Sequence, residues 1–165
     1  MDDDLSTLSR EVGAWLSRHG WTLAAAESCT GGWIATVVTA TAGSSAWFER
    51  GFVTYSNEAK QELLGVSAAT LARHGAVSEP TVREMVAGTL AASHADVALA
   101  VSGIAGPGGA TPGKPVGMIC LAWGRRGGAP QSETCHFTGD REAVRRQAVT
   151  HALQALMARL DTAGP

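Results

Sequence analysis

Short, nearly continuous apolar runs alternate along this chain with stretches of helical apolar spacing, and this alternation limits its fold more than any other feature. The run 97–101, Val-Ala-Leu-Ala-Val, has no polar position, which is typical of a strand buried on both faces. Further strands are predicted at 21–26, 51–55, 116–123 and 133–137. Helices that alternate with buried strands indicate a layered α/β domain, and the adjacent last two strands indicate a mixed sheet.

Cap residues mark the predicted helices between these strands. A first amphipathic helix starts near Leu5 and ends at Gly20, where a left-handed C-terminal cap is expected. Asn57 can cap a helix over 58–64, and Ser67 and Ser78 can cap the two helices that follow. Asp140 can cap a last helix, whose apolar residues recur at helical spacing.

Length and charge narrow the class of protein. The 165 residues predict one domain over 1–165, and a net charge of -2 without a basic stripe argues against polymeric nucleic acid as a partner. A small anion stays possible, because helix amides and one or two arginines can hold a single phosphate. The acidic first residues and the lack of a long apolar run predict a cytoplasmic location and no membrane partner.

The cysteines and histidines do not indicate a metal site. Cys29, Cys120 and Cys135 are odd in number and lack a Cys-x-x-Cys spacing, so we expect reduced thiols. None of the five histidines has a metal-binding spacing such as His-Glu-x-x-His. The sequence therefore predicts no metal, and a metallohydrolase is disfavoured.

The turn after the first strand is one of three places where a ligand is expected, since ligands of α/β sheets gather beyond the carboxyl ends of strands. The hydroxyls of Ser28 and Thr30 fit a nucleophile, a phosphate ligand or a helix cap. Gly31 and Gly32 let backbone amides approach an anion. Glu27 fits either a group that orients a substrate amide or an ordinary salt-bridged carboxylate.

The second and third places follow the next two buried strands. Tyr55 ends one strand and Lys60 lies early in the next helix, where it is either a general base of the Ser-Lys kind or an exposed helix lysine. The glycine-rich loop 102–115 is too long for an ordinary tight connection. It matches neither the phosphate loop of nucleotide triphosphatases nor the dinucleotide-binding fingerprint, so ATP and NAD are not indicated as cofactors.

Taken together, six segments resemble the CinA C-terminal domain family in order and spacing, and the resemblance covers nearly the whole chain. The segments are Ala26-Glu27-Ser28-Cys29-Thr30-Gly31-Gly32, Gly43-Ser44-Ser45, Phe52-Val53-Thr54-Tyr55-Ser56-Asn57 with Lys60, Gly75-Ala76-Val77-Ser78, Ser102-Gly103-Ile104-Ala105-Gly106-Pro107 and Lys114-Pro115-Val116-Gly117. The likeness continues into Gly139-Asp140-Arg141 and Arg145-Arg146-Gln147.

The resemblance implies a fold and an activity. The implied fold is a three-layer α/β/α sandwich around a mixed, mostly parallel sheet of about five strands, in a homodimer or higher homo-oligomer. The implied activity is that of a stand-alone nicotinamide-nucleotide amidohydrolase, which converts nicotinamide mononucleotide to nicotinate mononucleotide and ammonia in NAD salvage. It implies no organic cofactor, and its partner is the small-molecule substrate.

The resemblance also places the family's serine, tyrosine and lysine active-site positions on Ser28, Ser45, Tyr55 and Lys60. It does not decide which serine attacks. We predict that Ser45 attacks, with Lys60 as the base and Tyr55 as a proton relay, while backbone amides stabilise the oxyanion. Ser28 would then help to position the substrate, together with Thr30 and its neighbours Glu27, Gly31 and Gly32.

For the rest of the nucleotide, the expected contacts come from the glycine-rich loop and the last helix. Ser102, Gly103 and Gly106 would hold the nucleotide, and Arg145 would bind its phosphate. Two other functions stay open. The glycine-rich loop also fits a metal-dependent nucleotide phosphohydrolase, and the same surface fits a non-catalytic nucleotide-binding module.

Overall fold

The computed structural model describes residues 1–161, so the last four residues of the predicted domain, 162–165, lie outside the described residues. The strands are β1 (Leu23–Glu27), β2 (Phe48–Val53), β3 (Val97–Gly103), β4 (Met118–Arg125) and β5 (Gln131–His136). The helices are α1 (Asp3–His19), α2 (Trp33–Thr39), α3 (Asn57–Leu64), α4 (Ala68–His74), α5 (Glu79–Ala91) and α6 (Arg141–Asp161), with a 3-10 turn at Ser44–Ala46. Among these helices, none is long and apolar enough to cross a bilayer.

The five strands form one mixed sheet in the order β2-β1-β3-β4-β5. Strand β1 runs parallel to both β2 and β3, whereas β4 is antiparallel to β3 and β5. Four of the five strands therefore point the same way, as the predicted mostly parallel sheet requires. The short connection between β4 and β5 explains the exception, because a hairpin joins antiparallel strands only.

Helices cover both faces of the sheet, which confirms the three-layer α/β/α sandwich. Helices α1, α2 and α6 pack on a face of bulky side chains that includes Leu99, Leu121 and Trp123. Helices α3, α4 and α5 pack on the other face, where the strands present small side chains such as Ala98 and Ala100. Because successive residues of a strand point to opposite faces, the alternation of large and small residues gives the sheet its two unlike sides.

The small-residue face lets helices α3 and α5 lie in close contact. A Cβ atom added at Gly88 of α5 would lie 1.8 Å from the carbonyl oxygen of Leu64, the last residue of α3. The space around Gly124 of β4 is also too small for a side chain, since a Cβ there would lie 2.8 Å from Val86 Cγ1. Glycine is required at Gly88 because the backbone of the neighbouring helix leaves no room for a side chain.

Most predicted caps are present, but the second strand starts earlier than expected. Asp140 accepts a hydrogen bond from the Ala143 amide, and Gly20 ends α1 in the left-handed conformation. Helix α3 is capped by Ser56 instead of Asn57, one residue earlier. The predicted strand at 51–55 is β2 at Phe48–Val53, because Phe48, Glu49 and Arg50 also pair with β1 or continue its partner strand.

Candidate active site

Three polar residues lie side by side at the carboxyl edge of the parallel strands. Glu27 pairs with Val53 of β2 and with Val101 of β3, so the next residues in register are Ser28, Thr54 and Ser102. The Ser28 amide donates to the Val101 carbonyl, and the Thr54 amide donates to the Glu27 carbonyl. All three residues are buried, and their register directs them toward the face that α3 and α5 cover.

Lys60 reaches this row from helix α3. Its side chain is only 1% exposed, and Nζ lies 3.0 Å from Ser28 Oγ. The same Nζ is 2.8 Å from the Thr54 carbonyl oxygen and 3.4 Å from the Tyr55 carbonyl oxygen. The exposed-lysine alternative is therefore wrong, since the amine is enclosed by a hydroxyl and two carbonyls.

Burial changes the acid–base chemistry of both titratable groups beside Ser28. It lowers the pKa of the Lys60 amine from its ordinary 10.5, because the charged form loses its hydration. Burial also raises the pKa of the Cys29 thiol to about 12. Cys29 is thus a protonated, packed thiol near neutral pH, whereas Lys60 gives up its proton more readily than a surface lysine.

The turn that carries Ser28 is held by the carboxylate of Glu27. Glu27 Oε1 accepts from Thr30 Oγ1 at 2.6 Å and from the Ile34 amide at 2.8 Å, and Oε2 accepts from the Ala35 amide at 3.0 Å. Glu27 and Thr30 are both fully enclosed. The polar groups of these two residues, for which we predict contact with the substrate, are used in the structure to fix the turn to the start of α2.

Gly31 and Gly32 complete the turn with positive φ angles of 58° and 103°. Residues that carry a side chain rarely adopt φ angles in this range, so glycine is needed here for the chain to pass from β1 into α2. The hydroxyl of Ser28 does not cap α2, whose N-cap is Gly32. It donates instead to the Tyr55 carbonyl at 3.5 Å and faces Lys60, so the cap interpretation of Ser28 is wrong.

An open cleft of about 200 Å³ lies over the serine and lysine. The phenol of Tyr55 stands at its rim, 61% exposed, and accepts from Arg141 Nη2 at 3.2 Å. Arg141 also donates to the Gly106 carbonyl at 2.8 Å. The main-chain carbonyl of Tyr55 thus contacts Lys60, whereas its phenol contacts Arg141. The predicted proton relay through the phenol would need a contact with Lys60 or a serine, and the structure shows none among the described residues.

The glycine-rich loop lines the same cleft. Ser102 and Gly103 contribute its wall, and a Cβ at Gly103 would lie 2.2 Å from Ile119 Cδ1. Gly106 has φ 86° and presents its carbonyl to Arg141. Two of these three residues, Ser102 and Gly103, therefore face the place where a substrate would bind, while Gly106 supports the arginine.

The structure separates two other predicted residues from the cleft. Arg145 donates to the carbonyls of Cys29 and Thr30 at 3.0 and 3.1 Å, so its guanidinium braces the turn. Ser45 lies in the exposed 3-10 turn before β2, at the amino edge of the sheet. The six residues of β2 put this edge about 20 Å from the carboxyl edge, so the expected contact between Ser45 and Lys60 does not form.

Arg141 and the Thr54 carbonyl are functional groups that the sequence did not single out as site members. Arg141 carried a weak signal, since it opens the last helix within the segment Gly139-Asp140-Arg141. No signal identifies a main-chain carbonyl such as that of Thr54 as a partner of Lys60. Its position depends on where β2 ends.

Fold and site define a three-layer α/β protein with a buried serine and lysine in contact at the sheet edge, the pairing that Ser-Lys hydrolases use. The chain belongs to the CinA C-terminal domain family, whose model matches residues 5–160.

Named relatives cover almost the whole chain. The chain is 56% identical over 155 residues to the nicotinamide-nucleotide amidohydrolase PncC of Escherichia coli K12, with 94% of each chain covered. It is 52% identical to the protein of the same name from Pseudomonas putida, covering 94% of this chain and 96% of that one. A solved CinA superfamily protein from Klebsiella pneumoniae matches with a TM-score of 0.92 at 45% identity, over 96% of this chain and 98% of that chain.

Proposed function

We propose that this protein hydrolyses the carboxamide of nicotinamide mononucleotide, with Ser28 as the nucleophile and Lys60 as the general base. The observation that supports this mechanism is the contact of 3.0 Å between Lys60 Nζ and Ser28 Oγ, since both residues are buried. The activity rests on the names of relatives at 56% and 52% identity. The attacking role thus moves from Ser45, which was favoured from the sequence, to Ser28.

Burial favours the neutral amine that a base requires, because it lowers the pKa of Lys60. A neutral amine has two N–H donors and one lone pair, whereas an ammonium has three donors. In the neutral amine the two N–H groups donate to the carbonyls of Thr54 and Tyr55, which accept hydrogen bonds only. For the proton transfer, the Ser28 hydroxyl turns its hydrogen from the Tyr55 carbonyl at 3.5 Å to the lone pair of Nζ at 3.0 Å.

The proposed reaction runs in two halves. Ser28 Oγ bonds to the carboxamide carbon while its proton passes to Lys60 Nζ, and turn amides stabilise the oxyanion. The carbon–nitrogen bond then breaks, and ammonia leaves with the proton that Lys60 returns. In the second half, water gives a proton to Lys60 and attacks the ester on Ser28. The ester bond breaks, Ser28 recovers its proton, and nicotinate mononucleotide is released.

Arg141 is the group we propose for the substrate phosphate, in place of Arg145. It lines the cleft beside Tyr55, whereas two of the three guanidinium nitrogens of Arg145 donate to carbonyls of the turn. An arginine can hold a phosphate by two parallel N–H donors. Ser102 and Gly103 would contact the nucleotide between the phosphate and Ser28. Action in NAD salvage follows from this substrate, while the homo-oligomer and the cytoplasmic location stay predictions.

The test compares two serines under one assay. Purified wild type, Ser28→Ala and Ser45→Ala are incubated with nicotinamide mononucleotide in the presence of a chelator, and ammonia and nicotinate mononucleotide are measured. We expect wild type and Ser45→Ala to release both products and Ser28→Ala to be nearly inactive while folded by circular dichroism. Activity in Ser28→Ala, or its loss in Ser45→Ala alone, would contradict the assignment. Release of inorganic phosphate that needs a divalent metal would instead indicate a phosphohydrolase.

A further inference from the structure

A second group of reactive side chains lies at the opposite edge of the sheet from β2. Glu133 and Cys135 are two residues apart on β5, so both point to the face that α6 covers. His151 of α6 faces them, and the ligand atoms of the three side chains lie within 4.8 Å of one another. The cluster is separate from Ser28 and Lys60, which lie three strands away and on the other face.

One oxygen atom links the three side chains. Cys135 Sγ donates to Glu133 Oε1 at 2.9 Å, and His151 Nε2 lies 2.5 Å from the same oxygen. A thiol, an imidazole and a carboxylate therefore converge on one oxygen atom.

We propose that Glu133, Cys135 and His151 form a binding site for a divalent transition metal of the zinc type. Tetrahedral zinc with bonds of 2.0 to 2.3 Å needs ligand atoms about 3.3 to 3.6 Å apart. The distances of 2.5 and 2.9 Å must therefore open by less than about 1 Å, while the distance between Cys135 Sγ and His151 Nε2, at most 4.8 Å, must reach the same range. A mixed sulfur, nitrogen and oxygen donor set suits zinc better than magnesium or calcium, which prefer oxygen alone.

Proton balance is simple at this site. The metal takes the place of the thiol proton, which leaves to solvent as the sulfur–metal bond forms. Nε2 of His151 donates to Glu133 in the metal-free arrangement, so its proton also leaves through solvent as Nε2 becomes a ligand, and the bound imidazole carries its one proton on Nδ1. Glu133 contributes Oε1 and stays charged.

Surrounding groups hold the ligands in place. Arg159 Nη2 donates to Glu133 Oε2 at 2.5 Å, so the carboxylate is oriented with Oε1 toward the cysteine and histidine. The rings of Trp123 and Phe137 each contact His151 at 6.0 Å between centroids. A hydrogen-bonded carboxylate and an apolar wall are typical supports of protein metal ligands.

About one third of the His151 and Glu133 side chains is exposed, which leaves an approach for the metal and for a water as fourth ligand. A metal here would join the edge strand β5 to α6, and we assign it no part in the chemistry at Ser28. The inference is thus independent of the proposed function.

Cobalt provides the test, because it occupies zinc sites and reports thiolate ligands by a charge-transfer absorption band. The reduced full-length protein is stripped with a chelator and titrated with cobalt chloride, followed by zinc. We expect a thiolate band that saturates at one cobalt per chain and is displaced by zinc. Zinc should also raise the melting temperature of the wild type.

Variants locate the site. Cys135→Ser should abolish the band, and His151→Gln should weaken cobalt binding by more than about 100-fold, since even supporting residues of metal sites change affinity by 10- to 100-fold. Matched controls are Cys120→Ala, a buried thiol on the other face, and His136→Gln, an exposed histidine on β5, and both should keep the band. Absence of a thiolate band in the wild type, or a band that survives Cys135→Ser, would overturn the proposal. If Cys135→Ser fails to fold, cobalt binding by His151→Gln that equals that of the wild type would also overturn the proposal.

Discussion

Replacing Lys60 by methionine is the sharpest test of the catalytic proposal, because it removes the amine and keeps most of the apolar stem. Lys60 is 1% exposed, so its amine is enclosed by the groups that it contacts. The change removes the group that accepts the proton of Ser28, 3.0 Å away. A positioned general base contributes about 10²- to 10⁴-fold to rate, equivalent to roughly 3 to 5 kcal/mol of activation free energy.

Stability should change much less than activity. The Thr54 carbonyl loses its 2.8 Å partner, and an unsatisfied buried acceptor costs about 1 to 3 kcal/mol. The same substitution removes the desolvation penalty that lowers the pKa of Lys60. The two effects oppose each other, so we expect a folded protein whose melting temperature lies near that of the wild type.

The assay measures kcat and KM for ammonia release from nicotinamide mononucleotide. We expect kcat to fall by about 10²- to 10⁴-fold with a smaller change in KM, since Lys60 acts on the proton of Ser28 more than on binding. Lys114→Met is the matched control, because Lys114 is the only other lysine of the sequence and donates to the His74 carbonyl outside the cleft. A folded Lys60→Met protein with kcat within tenfold of the wild type would refute the base assignment.

One pH titration and three substitutions provide further tests of the structure. Burial lowers the pKa of Lys60, so the folded chain releases this proton at a lower pH than the unfolded chain, which releases it near 10.5. Between the folded and the unfolded pKa, the unfolded chain therefore binds more protons than the folded chain. The free energy of unfolding should therefore rise with pH across this window in the wild type and stay flatter in Lys60→Met, as urea titrations would show. Glu27→Ala should cost about 3 kcal/mol in the same assay, since two amides and a hydroxyl lose a buried acceptor. Gly88→Ala should lower stability by more than about 2 kcal/mol, because its Cβ would lie 1.8 Å from the Leu64 carbonyl oxygen. Arg141→Ala should raise KM for the nucleotide by about 10- to 100-fold with less effect on kcat, and an unchanged KM would contradict the phosphate role.

The layered fold could be predicted because β1, β3 and β4 are short, mostly apolar runs and because helices with recognisable ends alternate with the parallel strands. Val97–Gly103 is nearly all apolar, and burial on both faces is the only environment that suits such a run. Which helices cover which face was not predictable in this way. It depends on the pairing of strands far apart in sequence, such as Leu23 with Val97.

The active site was predictable as a set of residue types but not as a geometry. Ser28 and Lys60 lie in the segments that carry the family resemblance, yet so does Ser45. Ser45 precedes β2 and Lys60 follows it, so which serine meets Lys60 depends on how β1 and β2 align in the sheet. The boundary of a strand is hard to read from sequence because Trp47 and Phe48 suit a helix and a strand equally well.

The cluster at Glu133, Cys135 and His151 shows a different limit of sequence reasoning. Metal-binding motifs are recognised by short spacings on one element, such as two histidines on adjacent helical turns. Here a two-residue spacing on a strand meets a histidine from a helix that begins only after the strand has ended. The antiparallel pairing of β4 with β5 and the packing of α6 against them create the contact, so no local pattern marks it.

The position of Glu27 explains how an acidic residue can lie next to Ser28 without contacting Lys60, the proposed base. A carboxylate next to Lys60 would favour the ammonium and raise its pKa. Glu27 immediately precedes Ser28, but consecutive strand residues point to opposite faces, so its carboxylate is directed to α2 and not to Lys60. There two helix amides and the Thr30 hydroxyl hold the negative charge. The alternation of a single strand thus separates the carboxylate that fixes the turn from the amine for which we propose the role of base.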